Sequence, residues 1–484
     1  MRSIPFFFVA LLLGLFACTP DPIPVPTATL EMGEVDDPGA LEVDSLELVE
    51  WLDRVCATPH RRVGSENWQT GMLTIEHILG EIGFTTFQKD FFEIQYWECT
   101  DWSLGVEVEG ELMNISSYYE YGTGFTGPEG ITAPLVYVGR TIEEGEDVAG
   151  KIALIDLEFS DDAITGLPNP VSRPNHRSFP EPDGPSFDVY WQAKQGGAVG
   201  VIFIMADFHA NVSEYMYIPH HDNLRQLPAQ FVGNRDGIKM RCYAELGYEA
   251  TIQQQGVYEP RETYNLWVTL PGQSEDNLII STHADAPFRG VIEDGTGIVS
   301  VLAQAKEWLA VPEGQRPKTL YFVFTAAHFY KDAPGGSQFV LQHQNIIQRT
   351  QALVEIEHLG AIRQTIERDE FVPADLLSPL VIYHSEGGFV ESEMMNMVNT
   401  YPPQDEEIEL VPPISLFPFP LSEAAGWIAT ASGELDVDIP YVSFITNPTY
   451  LLTVDDDFDQ VDMSAVIRAN ESIDRLVEAY AENL

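Results

Sequence analysis

The sequence is poor in basic residues. Its 484 residues include 25 Lys and Arg against 75 Asp and Glu, which gives a formal net charge of −50 at pH 7. A surface of this sign repels phosphate backbones, which argues against a nucleic-acid partner, and it offers no basic patch for docking on anionic lipid. Hydrophobic residues nevertheless make up 44% of the chain, which excludes a disordered or fibrous protein and supplies a sizeable core.

Cysteine is also scarce, and several motifs are missing. The four cysteines form no CxxC pair, which excludes a cysteine-based zinc knuckle. Three of them, Cys56, Cys99 and Cys242, follow the N-terminal segment; their odd number leaves at least one free thiol, and the sequence does not select a disulfide pair. No G-x-S-x-G occurs, and no G-x-G-x-x-G follows a predicted strand, so neither a serine hydrolase nor a dinucleotide site is supported.

An apolar run long enough to be an export signal occurs only at the N-terminus. Arg2 is followed by an apolar stretch from Ile4 to Phe16, which is too short to span a bilayer. The run ends in Leu15-Phe16-Ala17-Cys18, which resembles the lipobox of bacterial lipoproteins. The resemblance implies a signal peptide over 1–17 and lipidation of Cys18. The alternative is a plain secretory signal.

The lipobox resemblance predicts an exported, membrane-anchored bacterial lipoprotein in the periplasm or at the cell surface. The lipid anchor would be its contact with the membrane. Residues 18–43 are rich in Pro and acidic residues and lack periodicity, which is typical of a solvated tether.

Beyond the tether, buried-type strands alternate with helices. Helices are predicted from Asp44 to Ala57 and from Ser65 to Ile82, the second ending at Gly83. Two strands are predicted next, from Phe84 to Tyr96 and from Ser103 to Asn114. From residue 264 onward the alternation becomes regular, which predicts a doubly wound α/β fold, a mixed sheet flanked by helices, with active residues at the strand ends.

The middle of the chain has a different sequence pattern. A Gly150-Lys151 pair followed by an apolar strand, and a later Lys-x-Gly-Gly-Ala-x-Gly-x-Ile run from Lys194 to Ile202, resemble the protease-associated domain, a small α/β insert. We therefore expect such an insert over 123–258. The larger domain, which this insert interrupts, would comprise 44–122 and 259–484. Some other small α/β insert is the alternative.

Chemically active side chains follow the predicted strands. His283 ends one strand and could ligate a metal, with Asp285 orienting its ring. Asp294 opens a helix, whose N-terminus would stabilise a carboxylate there. His328 and Glu357 follow two further strands. His358, beside Glu357, has no partner at an interpretable spacing and is expected to be a surface or packing residue.

These motifs resemble the di-zinc exopeptidases that include bacterial leucyl aminopeptidases and glutamate carboxypeptidase. Further resemblance lies in the R-x-x-G-S turn from Arg61 to Ser65 and in the segment from Asp455 to Asp462. It implies that His283, Asp294 and Glu357 bind one zinc ion. The family's general-base glutamate corresponds to His328, and two ligands of the second zinc correspond to Phe329 and Leu452, neither of which can bind a metal.

Two hypotheses follow from this degenerate pattern. The first is a divergent exopeptidase-like hydrolase of peptide or amide bonds that uses one zinc ion, with His328 as base and Asp285 orienting His283. The second is a non-catalytic peptide-binding or scaffold lipoprotein that reuses the same cleft. Both predict a peptide or peptide-like partner. Three carboxylates, Asp332, Glu434 and Asp455, are the candidates to replace the lost ligands.

Overall fold

In the computed structural model, the described residues are 45–142, 147–157, 159–160, 173–174, 189–206, 226–330, 334–367, 370–405, 407–413, 420 and 422–484. Cys18, the signal peptide, the tether and Asp332 lie outside them. Among the described helices, none is both long and apolar enough to cross a membrane. Cys56, Cys99 and Cys242 are free thiols, so none of the disulfides left open by the sequence is formed.

Most elements lie where the sequence patterns predict them. The α-helices are α1 (Ser45–Cys56), α2 (Glu66–Ile82), α3 (Val189–Gln195), α4 (Asn234–Glu245), α5 (Thr296–Ala310), α6 (Pro334–Gln342), α7 (Gln344–Ile347), α8 (Gly388–Thr400), α9 (Ala424–Leu435) and α10 (Met463–Asn483). Ser65 caps α2 by accepting a hydrogen bond from the Trp68 amide, and Gly83 ends the helix with φ of 127°.

The strands form one large mixed sheet and two small hairpins. They are β1 (Gln88–Val108), β2 (Glu111–Ile115), β3 (Tyr118–Tyr119), β4 (Ile131–Gly139), β5 (Ile152–Asp156), β6 (Phe159–Ser160), β7 (Arg173–Pro174), β8 (Gly200–Ile204), β9 (Ala229–Val232), β10 (Glu249–Leu270), β11 (Ser274–His283), β12 (Lys318–Thr325), β13 (Thr350–Ile356), β14 (Ile362–Glu367), β15 (Glu370–Leu377), β16 (Leu380–His384), β17 (Ile408–Val411) and β18 (Tyr441–Thr446). Along the large sheet the order is β17-β16-β18-β13-β11-β12-β10-β4-β5-β8-β9-β3; off this path, β1 pairs with β10, and β2 pairs with β1.

The parallel centre of the sheet positions the candidate site. β11 pairs in parallel with both β12 and β13, and β13 pairs in parallel with β18. The carboxyl ends of these strands therefore meet at one edge. One face of this sheet packs against α1, α2, α5, α8 and α10, and the other against α6, α7 and α9, so the fold is the expected α/β sandwich.

The inserted domain is joined to this body by a ribbon of two long strands. β1 and β10 pair in antiparallel register along nearly their whole length, from Gln88 opposite Trp267 to Val106 opposite Ala250. β10 pairs with β12 at one end and with β4 at the other. Two strands were expected between Phe84 and Asn114. A bulge between Cys99 and Asp101 instead lets one strand continue, and only the short β2 follows a turn.

Candidate metal centre

Two histidines are fixed at neighbouring strand ends by the same kind of contact, between Nδ1 and a backbone oxygen. His283 ends β11, and its Nδ1 lies 3.0 Å from the backbone oxygen of Asp285. His358 follows β13, and its Nδ1 lies 2.9 Å from the backbone oxygen of Thr446. A carbonyl oxygen only accepts, so each Nδ1 carries a proton, and each Nε2 is the nitrogen left to bind a cation or to take a second proton.

Glu293 lies between the two rings. Its Oε1 is 3.2 Å from Nε2 of His283, and its Oε2 is 3.0 Å from Nε2 of His358. Burial alone would raise the pKa of Glu293, but the two histidines hold it well below its usual range. Burial alone would lower the pKa of His358, and Glu293 instead raises it to about 9. Both shifts show how strongly this carboxylate favours a cation beside it.

Asp294 is the carboxylate that the sequence pattern predicts to bind zinc. In the structure its oxygens accept hydrogen bonds from other residues of the chain. It accepts hydrogen bonds from the Gly297 amide (3.1 Å), the His358 amide (3.1 Å) and the Thr282 hydroxyl. A Cβ at Gly297 would lie 2.3 Å from both carboxylate oxygens, so this close cap requires glycine. His283 Nε2 is 4.0 Å from Asp294, farther than from Glu293. Glu293 is therefore the better-placed candidate ligand, and zinc binding by Asp294 stays a prediction.

The Glu293 backbone is held from a distant part of the chain. The carboxylate of Asp456 accepts hydrogen bonds from the amides of Ile292 (2.8 Å) and Glu293 (3.0 Å). From the other side, the buried guanidinium of Arg61 donates to three backbone oxygens, those of Ala284, Arg289 and Gly290. These contacts explain why the R-x-x-G-S turn and the segment around Asp456 accompany the site.

Glu357, the other predicted carboxylate ligand, lies where it was expected. It follows β13, is fully buried, and accepts a hydrogen bond on Oε1 from the Glu423 amide at 2.8 Å. Its Oε2 has no hydrogen-bond partner among the described residues. One ligand atom each of His283, Glu357 and His358 lie within 4.8 Å of one another, the spacing of a possible metal site.

His328 stands over His283. The two rings stack with centroids 4.0 Å apart, and Nδ1 of His328 lies 2.8 Å from Oε2 of Glu423. Oε1 of Glu423 accepts the hydroxyl proton of Thr325 at 2.9 Å. Glu423 is fully buried, which raises its pKa well above the usual range.

Asp285 acts on these rings mainly through its main chain. Its backbone oxygen, rather than its carboxylate, accepts from His283, since the carboxylate is 3.8 Å from Nδ1. The carboxylate instead accepts the His328 amide at 3.2 Å, and burial raises its pKa to about 6. The expectation that Asp285 orients His283 therefore holds for its carbonyl, and its side chain positions the His328 backbone.

The positions that lack second-metal ligands line an apolar wall. The ring of Phe329 is 8% exposed and its centroid lies 5.8 Å from that of His283. Leu452 packs against the aromatic cluster that contains Phe329. The other members of this cluster come from β1 and the inserted domain's start and from the loop after His283: Trp97, Cys99, Tyr118, Tyr119, Tyr121 and Phe288. Of the proposed replacement carboxylates, Glu434 is exposed on α9 and Asp455 is only partly buried.

The centre holds an excess of buried acid. Seven carboxyl groups surround the histidines, namely Asp285, Glu293, Asp294, Glu355, Glu357, Glu423 and Asp456. In the described part of the chain, no Lys or Arg forms an ion pair with any of them. Buried carboxylates without cations are costly, so the centre is built either to retain protons or to bind a metal ion.

Comparison with known proteins agrees with this architecture. The family model of the PA domain matches residues 131–240. A search of curated protein sequences finds no match. The peptidase M28 precursor from Shewanella amazonensis superposes with a TM-score of 0.66 at 16% identity, covering 91% of this chain and 94% of that one. The protein has the zinc-exopeptidase fold with a PA domain.

Two named aminopeptidases share this fold. The zinc aminopeptidase BSAP from Bacillus subtilis gives a TM-score of 0.65 at 15% identity, covering 90% of this chain and 95% of its own. The aminopeptidase from Aneurinibacillus sp. strain AM-1 gives 0.58 at 15% identity, covering 90% and 94%. In this chain, the zinc-exopeptidase fold thus places His283, Glu293, His328 and Glu357 at the carboxyl edge of the parallel strands.

Proposed function

We propose that the protein is a zinc-dependent exopeptidase-like hydrolase of peptide or amide bonds that uses a single metal ion. One observation carries the proposal: Nε2 of His283, Oε1 of Glu293 and Oε2 of Glu357 are buried together and make no hydrogen bond in the described part of the chain. Native proteins rarely leave such atoms unsatisfied, and each is a donor atom that zinc prefers.

These residues fit a zinc ion by charge as well as by donor type. Imidazole nitrogen and carboxylate oxygen are both zinc ligands, and in catalytic zinc sites three protein ligands leave a position for substrate or water. The surrounding acid excess would be partly neutralised by a divalent cation. Zinc, when bound, polarises a carbonyl group and activates water at neutral pH.

His328 and Glu423 supply the proton transfer in this proposal. With Nδ1 of His328 sharing a proton with Glu423, the opposite nitrogen, Nε2, can accept a proton from the attacking water and return it to the leaving amine. Glu423 holds the ring at the required angle, and Thr325 fixes Glu423 through its other oxygen. A histidine thus occupies the position at which the resemblance implies a glutamate base.

The test is hydrolysis of free and terminally blocked peptides by the metal-loaded chain. His283→Ala should abolish both zinc uptake and hydrolysis, whereas His328→Ala should keep the zinc and lose about 10²–10⁴-fold in rate, the usual contribution of a general base. His384→Ala is the matched control, because His384 is equally buried and pairs its Nδ1 with a backbone oxygen outside the centre. Hydrolysis that survives in His283→Ala would refute the proposal.

The apolar side chains of Phe329 and Leu452 favour one alternative. They supply no ligand atom for a second metal and enlarge the aromatic wall beside the centre. A non-catalytic peptide-binding lipoprotein would use such a wall. That function is favoured if the zinc-loaded chain binds peptides and cleaves none of them at either end.

A further inference from the structure

His358 is the least expected residue of the centre, because no pattern in the sequence assigned it a role. Its backbone lies in the left-handed region with φ of 54°, a conformation that costs energy for a residue with a side chain. Its amide donates to Asp294 at 3.1 Å, and its carbonyl accepts the hydroxyl proton of Thr446 at 2.5 Å. The surrounding structure therefore specifies this conformation.

The ring of His358 is fixed as firmly as its backbone. Nδ1 donates to the Thr446 carbonyl, which leaves the lone pair of Nε2 directed away from that strand. Nε2 is buried, makes no hydrogen bond among the described residues, and lies 3.0 Å from Oε2 of Glu293. Two acceptor atoms at that distance repel each other unless a cation or a proton lies with them.

His283 repeats this arrangement on the other side of Glu293. Both rings bind a backbone oxygen through Nδ1 and present Nε2 to different oxygens of one carboxylate. The rings are nearly perpendicular, at 88°, with centroids 6.0 Å apart. Ligands about 2.0–2.2 Å from one zinc ion lie roughly 3–4 Å from each other, and the atoms of His283, Glu357 and His358 fall within 4.8 Å.

We propose that His358 is a zinc ligand, so that two imidazoles, from His283 and His358, hold the ion together with Glu293 and Glu357. Substrate or water would then occupy a fifth position, a coordination number that catalytic zinc sites reach. The inference rests on the proposed function only in requiring that the chain binds zinc. The main alternative is that His358 is a permanent imidazolium paired with Glu293. A second alternative is that His328, whose ring atoms also approach His283 and Glu293, supplies the second imidazole.

The first test measures zinc affinity in the absence of substrate. The full chain is stripped with a chelator, reloaded with zinc, and titrated against a chromophoric zinc indicator. We expect His358→Ala and His358→Gln to weaken zinc binding by at least about 100-fold, since changes even behind a ligand cost about 10–100-fold. The control variant His384→Ala should bind zinc as the wild type does. Zinc affinity within about threefold of the wild type in both His358 variants would overturn the inference.

The second test does not depend on folding of the His358 variants. X-ray absorption on the zinc-loaded His328→Ala variant counts imidazole ligands directly, with His328 removed as a source. Two imidazoles support the proposal, and one imidazole overturns it, as does a wild-type chain that takes up no zinc. If two imidazoles are found but the zinc-loaded wild type cleaves no peptide, the ligand assignment stands and the proposed hydrolase function fails. If peptides are cleaved with only one imidazole bound, the reverse holds.

Discussion

Asp456 is not a proposed metal ligand, yet removing its carboxylate should destabilise the protein and weaken zinc binding. Asp456 accepts from two amides in the turn that carries Glu293, at 2.8 and 3.0 Å, and both residues of that turn are buried. Without the carboxylate, the two N–H groups lose their acceptor in a place that is closed to bulk water. The side chain of Glu293 then loses the backbone that aims it between the two histidines.

The magnitude follows from these two bonds. A hydrogen bond to a charged group contributes about 1.5–3 kcal/mol, and a buried donor left without a partner costs about 1–3 kcal/mol. The cost of burying the Asp456 charge, which raises its pKa to about 7, offsets part of this gain, so Asp456→Ala should lower the free energy of unfolding by about 1–3 kcal/mol at pH 8. Asp456→Asn keeps one acceptor oxygen and should lose about half as much. Zinc affinity should fall about 10–100-fold, as for other residues that support a ligand.

The assay is urea unfolding and zinc titration at pH 8. Burial raises the pKa of Asp456 to about 7, so its carboxylate is mostly ionised at that pH. Asp457→Asn is the control, because it changes the adjacent residue, which forms only a half-exposed ion pair with Arg289. Such a pair contributes about 0–1 kcal/mol, and asparagine can still cap the turn at Phe458. Equal losses in Asp456→Ala and Asp457→Asn would refute the reasoning.

Three further predictions concern other parts of the chain. Cys18→Ser should release the protein from membranes or leave it unprocessed, and unchanged membrane fractionation would refute lipid anchoring there. Phe329→Glu combined with Leu452→His should raise zinc content towards two per chain; a content that stays at one would show that these positions are not equivalent to ligands. Burial and nearby acidic side chains raise the pKa of Asp474 from 3.8 to about 7. The free energy of unfolding therefore falls as this carboxyl group ionises between those pH values. Asp474→Asn should therefore gain stability over the wild type by about 1 kcal/mol or more between pH 5 and pH 8, measured by chemical unfolding with Glu482→Gln on the same helix as control.

The regular part of the fold was predictable because its strands are buried on both faces. Strands such as β11 and β12 read as continuous apolar runs, and their ends are marked by polar residues that could not remain in the core. β1 was harder to predict, because the bulge after Cys99 interrupts its alternation without ending its pairing with β10. Start and stop signals sufficed for α2, whose Ser65 cap and Gly83 are visible in the sequence.

The site was predictable only where a ligand directly follows a strand. His283 and Glu357 do so, and the structure brings them together. The sequence offers two adjacent carboxylates, Glu293 and Asp294, and the family resemblance assigns the ligand role to Asp294. In the structure Asp294 accepts the Gly297 amide at the start of α5, and the carboxylate that reaches both histidines is its neighbour. The choice is made by the turn that Asp456 holds, more than 160 residues away.

Two members of the centre could not be found by spacing at all. Glu423 precedes α9, a helix that the sequence patterns did not predict, and it reaches His328 only through tertiary packing. His358 was visible beside Glu357, but successive residues after a strand usually point in different directions. The left-handed backbone at His358 turns its ring towards the same centre, and a sequence pattern does not specify that conformation.

A zinc titration of peptide hydrolysis tests the central claim most directly. The stripped chain is reconstituted with increasing amounts of zinc, and the cleavage rate of an unblocked peptide is followed at each step. Our account predicts no hydrolysis by the stripped chain and a linear rise that breaks at one zinc per chain. A break at two zinc ions would contradict the single-metal centre, and hydrolysis that is absent or independent of zinc would contradict the metal-dependent hydrolase itself.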